Sequence, residues 1–243
     1  MKVIKLNATN STNSYLMELN GQNNLQDETV VWALSQTAGR GQHASHWQSK
    51  AGDSLTFSVF KRFKSLAVER QFSLNYAVAV AVANVLNDLK LPAVKIKWPN
   101  DIMSAGRKIS GILIENQLKG RFIRSGVIGV GINVNEEQFE DLPKAGSVYL
   151  QTGIKFDLEE VLAAVLNEIR KQLQYVEKGA DDQVKAAFES SLYRRDVVSV
   201  FQTPDKDRFN GIIRGVSDSG QLVVETETDG RRSFMVKEIE LIS

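Results

Sequence analysis

Residues 66–89 place the first limit on the fold. Alanine, valine and leucine fill the stretch and leave polar residues at only one margin, which predicts a long helix mostly buried among other elements. The run 76–83 alternates like a strand, but length and alanine content favour helix. Strand patterns flank it. Residues 29–35 are β-branched and apolar, 55–60 read as the next strand, and 109–115 and 122–134 read as a pair joined by a turn at 118–121, as in an antiparallel meander. Ser11, Thr12 and Asn13 precede Tyr15-Leu16-Met17-Glu18-Leu19 and are residue types that cap a short helix. Apolar residues recur at helical spacing over 158–176, with Asp157 as N-cap and Lys178-Gly179 as a stop, and a further helix is expected over 183–192. The polar segment 136–147 reads as a mobile loop.

From Asp196 onward the texture changes to short strands at 197–201, 210–216, 222–227 and 233–236, separated by Asp, Gly and Pro turns. These predict a small β-barrel or SH3-like module, too small to bury much core alone and so leaning on the first. The expected organisation is α+β, with a domain over 1–192 and a β module over 193–243. The 243 residues carry 30 Lys and Arg against 29 Asp and Glu, so no global field gathers DNA or a membrane surface and partners must be read from sites. The chain has no cysteine, which removes disulfides, thiolate chemistry and cysteine metal ligands. The first six residues are too short and too charged for a signal peptide, and no run approaches a membrane span, so the cytoplasm is the expected compartment.

Three loops carry the chemistry. Lys97-Trp98-Pro99-Asn100-Asp101, followed by Lys108 and Gly111, joins a rigid turn, an amide, a carboxylate and an ammonium in one strand-turn-strand segment. Pro99 fixes its own φ and biases Trp98 toward extended backbone, so Asn100 and Asp101 leave the turn in a defined direction. Such a segment can hold a charged small molecule or be an ordinary turn with a solvated lysine. Gly39-Arg40-Gly41, after a predicted strand, offers backbone amides and a guanidinium to a phosphate or carboxylate, though a plain surface turn explains it too. Its glycine spacing is neither that of a Walker loop nor that of a dinucleotide fingerprint. His43 and His46 are the only histidines; with no cysteine or acid close in sequence, no metal site is assigned to them. Trp47 is either a stacking surface or an anchor for its loop. Ser11 would need an activating base to be a nucleophile, and capping is its simpler role.

Taken in order, Ser11-Thr12-Asn13, Gln36-Thr37-Ala38-Gly39-Arg40-Gly41, Lys97-Trp98-Pro99-Asn100-Asp101, Arg107-Lys108-Ile109-Ser110-Gly111-Ile112-Leu113-Ile114-Glu115 and Gly129-Val130-Gly131-Ile132-Asn133 resemble the biotin protein ligase family. The resemblance spans nearly the whole chain and is to the monofunctional kind, since its first motif arrives at Ser11 with no helix-turn-helix repressor domain before it. It implies a class II synthetase-like catalytic domain with a mixed, largely antiparallel sheet, followed by an SH3-like barrel. It also implies a two-step reaction. Biotin and ATP, with Mg²⁺, give biotinyl-5′-adenylate, and a lysine of an apo biotin carboxyl carrier domain then takes the biotinyl group. By the same resemblance Ser11, Thr12, Asn13 and Gln36 bond the biotin head group, while Gly111 and Gly131 let backbone approach it. Gly39, Arg40, Gly41 and Gln42 close over the tail and phosphate, with Trp47 in the same loop. Lys108 holds the carboxylate and then the phosphate oxygens. Lys97, Trp98, Asn100 and Asn133 complete the substrate-binding set, and Arg40, Lys108 and Asp101 form the catalytic set, Asp101 orienting or deprotonating the incoming lysine.

The chain departs from the family's Gly-Arg-Gly-Arg-x-Gly-Arg-x-Trp loop. Gln42 stands where the second arginine would be, and Ala44 and Ser45 replace the later glycine and arginine. A neutral amide cannot supply a guanidinium's charge-assisted bond, so weaker retention of the adenylate is expected unless His43, Lys50 or a residue from elsewhere compensates. The alternatives are a lipoate or octanoate ligase or transferase of related fold, and a noncatalytic biotin or nucleotide sensor. The oligomeric state stays open, with a homodimer among the options.

Overall fold

The structure is a computed structural model and describes residues 1–22, 25–42, 45–140 and 142–242. Seven strands form the main sheet: β1 (Lys2–Leu6), β2 (Thr29–Ala33), β3 (Ser54–Ala67), β4 (Val94–Lys97), β5 (Asp101–Ser104), β6 (Arg107–Lys119) and β7 (Phe122–Asn133). Their order is β1-β2-β3-β7-β6-β5-β4, with β1 parallel to β2 and every other pair antiparallel. The mixed, largely antiparallel α+β expectation holds. The tail forms a second, antiparallel sheet, β11-β10-β9-β8-β12, from β8 (Val198–Gln202), β9 (Arg208–Val216), β10 (Leu222–Thr226), β11 (Gly230–Phe234) and β12 (Glu240–Leu241).

Because successive side chains alternate across a strand, the central strands bury two different faces. Leu55, Phe57 and Val59 of β3 and Ile128, Val130 and Ile132 of β7 enter the main core. Against that face packs α2 (Gln71–Asp88), covered in turn by α4 (Leu158–Glu177) and α5 (Asp181–Ser190). Leu74, Ala77, Val78, Ala81, Val82 and Leu86 of α2 are buried, as a helix enclosed on several sides requires. On the other face Phe60 and Val127 meet Leu16 of α1 (Thr12–Gln22) in a smaller cluster. Asp157 caps α4 as expected, its Oδ1 accepting from the Glu159 and Glu160 amides.

Several boundaries differ from the sequence reading. The long helix starts at Gln71 rather than 66 because β3 runs on to Ala67, re-pairing Leu66 with Ile123 after a bulge, and Val68–Arg70 then form a 3₁₀ turn. Strand β1 has no counterpart in the sequence reading; it is a mostly exposed edge strand without strong apolar alternation. The short β12 and a short helix α3 (Val148–Thr152) were likewise not foreseen. The 136–147 loop is tied at its far end, where Lys108 N–H donates to Lys144 O (2.8 Å) and Gly146 N–H to Lys108 O (2.9 Å). Among the described residues no helix is long and apolar enough to cross a membrane.

Candidate functional site

The floor of the site follows from strand register. Thr56, Gly131, Gly111 and Asp101 stand in one row across β3, β7, β6 and β5, and Ser58, Gly129 and Leu113 form the next. Both rows lie on the face that carries α1. Glycine here provides space: a Cβ at Gly129 would strike the Asn13 amide, and one at Gly131 would strike the Trp47 indole.

A polar chain, buried at Thr12, Asn13 and Ser58 and opening to solvent at Arg40, crosses this floor. Gln36 Oε1 accepts from Thr12 N–H (2.7 Å), capping the first amide of α1, and stands 3.2 Å from Thr12 Oγ1. Ser58 Oγ lies 2.7 Å from Thr12 Oγ1 and 2.6 Å from Asn13 Oδ1, so its one proton serves one of them at a time. Asn13 Nδ2 donates to Glu115 Oε2 (2.8 Å), and Glu115 Oε1 accepts from Arg40 Nη2 (2.6 Å). Hydroxyls, amides and a guanidinium thus form one network with a carboxylate, Glu115, that lies 102 residues beyond Asn13 in sequence.

The cavity above the floor encloses about 330 Å³, within the range of small-molecule sites. Of the residues singled out from sequence, it is lined by Ser11, Thr12, Asn13, Gln36, Arg40, Gly41, Gln42, Trp47, Asn100, Asp101, Lys108, Gly111 and Gly131. On its cationic side Lys108 Nζ pairs with Asp101 Oδ1 at 2.7 Å, half-exposed, and lies 5.7 Å from the Trp47 ring centre. An ammonium has three donors, so this pair leaves two for an anion. Asn100 spends its amide on the turn, donating from Nδ2 to Ile112 O (2.6 Å) while Ile112 N–H donates to Asn100 O (3.1 Å).

The Gly39 to Trp47 loop closes as a small hairpin. Gly41 N–H donates to Ser45 O (2.8 Å), Trp47 N–H to Gly39 O (3.0 Å), and Arg40 and His46 form an antiparallel bridge. This sets Trp47 over the glycine floor, with an indole N–H that meets no acceptor. His43 and Ala44 lie outside the described residues, so the reading of paired histidines and the Ala44 departure have no structural counterpart. Among the described residues no cluster of three or more His, Cys, Asp or Glu could hold a metal ion.

Four of the residues singled out stand off the cavity wall. Gly39 shapes the hairpin behind it. Lys97 faces a groove between the two sheets. Trp98 precedes Pro99 across a cis peptide bond and donates from Nε1 to Gly220 O (3.0 Å), tying the motif to the C-terminal sheet. Asn133 is buried and donates from Nδ2 to Gly146 O (2.9 Å), with Oδ1 unpartnered. Conversely, Ser58, Leu113, Gly129 and Lys237 had no assigned role in the sequence reading. Ser58 had a signal, since Ser54, Thr56 and Ser58 alternate with apolar residues in a strand that should otherwise be buried on both faces. Lys237 had none, because only the packing of the second sheet brings it here.

A family model described as the biotin/lipoate A/B protein ligase family matches residues 6–133. The chain is 32% identical over 225 residues to the bifunctional ligase/repressor BirA of Bacillus spizizenii, covering 90% of this chain and 68% of that protein. It is 31% identical over 234 residues to a biotin--[acetyl-CoA-carboxylase] ligase of Mycobacterium tuberculosis, covering 94% and 84%. Its fold matches a biotin protein ligase from Aquifex aeolicus in complex with biotin and ATP at a TM-score of 0.81 and 26% identity, over 99% of this chain and 98% of that one.

Proposed function

This chain belongs to the biotin/lipoate A/B protein ligase family, and we propose from its cavity that it is an ATP-dependent biotin ligase acting on a lysine of a biotin carboxyl carrier domain. The observation that carries this reading is the polar chain from Gln36 through Thr12, Ser58, Asn13 and Glu115 to Arg40. A ureido ring offers two N–H donors and a carbonyl acceptor, and hydroxyl and amide groups that can each donate or accept complement it. The aliphatic chain of a lipoate or octanoate has no use for such a floor, which disfavours that alternative.

In the first step a biotin carboxylate oxygen attacks the α-phosphorus of ATP; the new P–O bond forms as the α–β bridging bond breaks and pyrophosphate leaves. Two anions must approach, so fixed cations lower the barrier by stabilising charge already in place when the reactants meet. Lys108 has two free donors and Arg40 retains N–H groups beyond those bound to Glu115 and Ser14. Mg²⁺ enters as part of the nucleotide substrate: triphosphate oxygens and water supply most of its ligands, and Asp101 is a cavity carboxylate able to add one. In the second step the neutral lysine amine attacks the acyl carbon, the C–O bond to phosphate breaks, and AMP departs. We assign the uptake of the amine proton to Asp101, the cavity carboxylate that pairs with Lys108. Trp47 covers the floor and offers its unpaired indole N–H and π face to the ligand. We assign 1–192 to the catalytic domain and 193–243 to an SH3-like module.

The test is incubation with ATP, Mg²⁺, labelled biotin and an apo carrier domain. Labelled adenylate without carrier, and labelled carrier with it, are expected; absence of both refutes the ligase and leaves the sensor reading.

A further inference from the structure

Of the three cations assigned to the site from sequence, Arg40 and Lys108 line the cavity, and both are partly neutralised, by Glu115 and Asp101. The loop that in this family carries further arginines presents Gln42 and Ser45 instead. A third cation lines the same cavity from the C-terminal sheet. Lys237 follows β11 in a tight turn where Glu238 N–H donates to Met235 O (3.1 Å) and Met235 N–H to Glu238 Oε2 (2.7 Å), while buried Ile239 anchors the far side. It is exposed, and among the described residues its ammonium forms no ion pair. Its φ is +74°, a left-handed conformation that glycine adopts freely and lysine only at a cost. The turn itself does not need the lysine side chain, since glycine would make it without strain.

We propose that Lys237 is a phosphate-binding residue of this site, delivering from the C-terminal sheet the charge that Gln42 and Ser45 do not supply, an assignment that rests on the ligase reading of the cavity. Its ammonium contacts non-bridging phosphate oxygens of the nucleotide and, after pyrophosphate leaves, of the adenylate. The C-terminal module then takes part directly in nucleotide retention.

The experiment compares wild type, Lys237→Gly, Lys237→Arg and Lys237→Gly combined with Gln42→Arg. Lys237→Gly should keep or raise Tm, since it relieves the left-handed turn, while ATP KM rises about tenfold and biotin KM stays within about twofold. Lys237→Arg should retain wild-type ATP KM, and Gln42→Arg should recover most of the loss by restoring a cation to the facing loop. Calorimetric binding of inorganic triphosphate needs neither biotin nor turnover. Weakening of that binding by Lys237→Gly supports the proposal even if the wild type forms no adenylate, the result that would sink the ligase reading alone. Wild-type triphosphate affinity in Lys237→Gly, or no triphosphate binding by the wild type, overturns it.

Discussion

Replacing Ser58 by alanine removes a single oxygen and tests whether the polar floor is held as a unit. Ser58 is fully buried, and its hydroxyl meets Asn13 Oδ1 at 2.6 Å and Thr12 Oγ1 at 2.7 Å. Asn13 cannot turn to find another donor, because Nδ2 is held by Glu115 Oε2 at 2.8 Å and Leu113 O at 3.3 Å. Thr12 is better placed, since Gln36 remains within its reach. The substitution therefore strands one buried acceptor, which costs about 1–3 kcal/mol, and it opens little new volume. At about 2 kcal/mol a chain of this size should lose about 4–8 °C in Tm. With Asn13 Oδ1 left unpaired and Thr12 Oγ1 held by Gln36 alone, the donor and acceptor pattern of the floor changes before biotin arrives, so biotin KM should rise about fivefold with kcat nearly unchanged, the pattern of lost ground-state binding. Thermal denaturation and steady-state transfer of labelled biotin measure the two effects. A wild-type Tm together with a wild-type biotin KM would refute the view that Ser58 organises the floor.

Lys108→Ala should lower adenylate formation by about 10²–10³-fold, while its half-exposed pair with Asp101 contributes under about 1 kcal/mol to folding; a fully active variant removes its assigned role. Gln42→Arg should slow the escape of biotinyl-adenylate, followed as release of labelled intermediate in the absence of carrier, and an unchanged escape rate would disconnect the loop departure from retention. Lys61 offers a pH test away from the site. Burial pulls its pKa down, but hydrogen bonds and charge from Asp27 and Glu177 outweigh that and leave it raised above its ordinary 10.5. A raised value means its contribution is complete below 10.5 and is lost as pH rises through the folded-state value, so stability should fall in that alkaline window. Lys61→Met should remove this part of the pH dependence; parallel alkaline denaturation curves for the two proteins would contradict it.

Helices α2 and α4 were legible because the positions that must be apolar lie within a few residues of one another, and Asp157 caps α4 from the adjacent turn. The meander of β6 and β7 was legible for the same reason, its turn and both strands being contiguous. Edge strand β1 was not, because its exposed residues carry no strong apolar alternation. Most of the cavity's wall could be named from Ser11, Gln36, Gly41, Asp101 and Lys108 through the family's motif order. The partners of other motif residues could not: Arg40 faces Glu115, and Trp98 reaches Gly220.

The amino-acid sequence by itself determined the longer, periodic elements and the kinds of groups available, since periodicity, caps and turn residues act between near neighbours. Only the tertiary structure decided which groups meet. Strand register set Ser58 beside Gly129 and Leu113, hairpin closure laid Trp47 over Gly131, and the packing of the second sheet brought Lys237 to a cavity whose other cations lie more than a hundred residues earlier. The physical reason is that register and docking depend on burial and hydrogen bonding summed over whole elements, which no short stretch of chain contains.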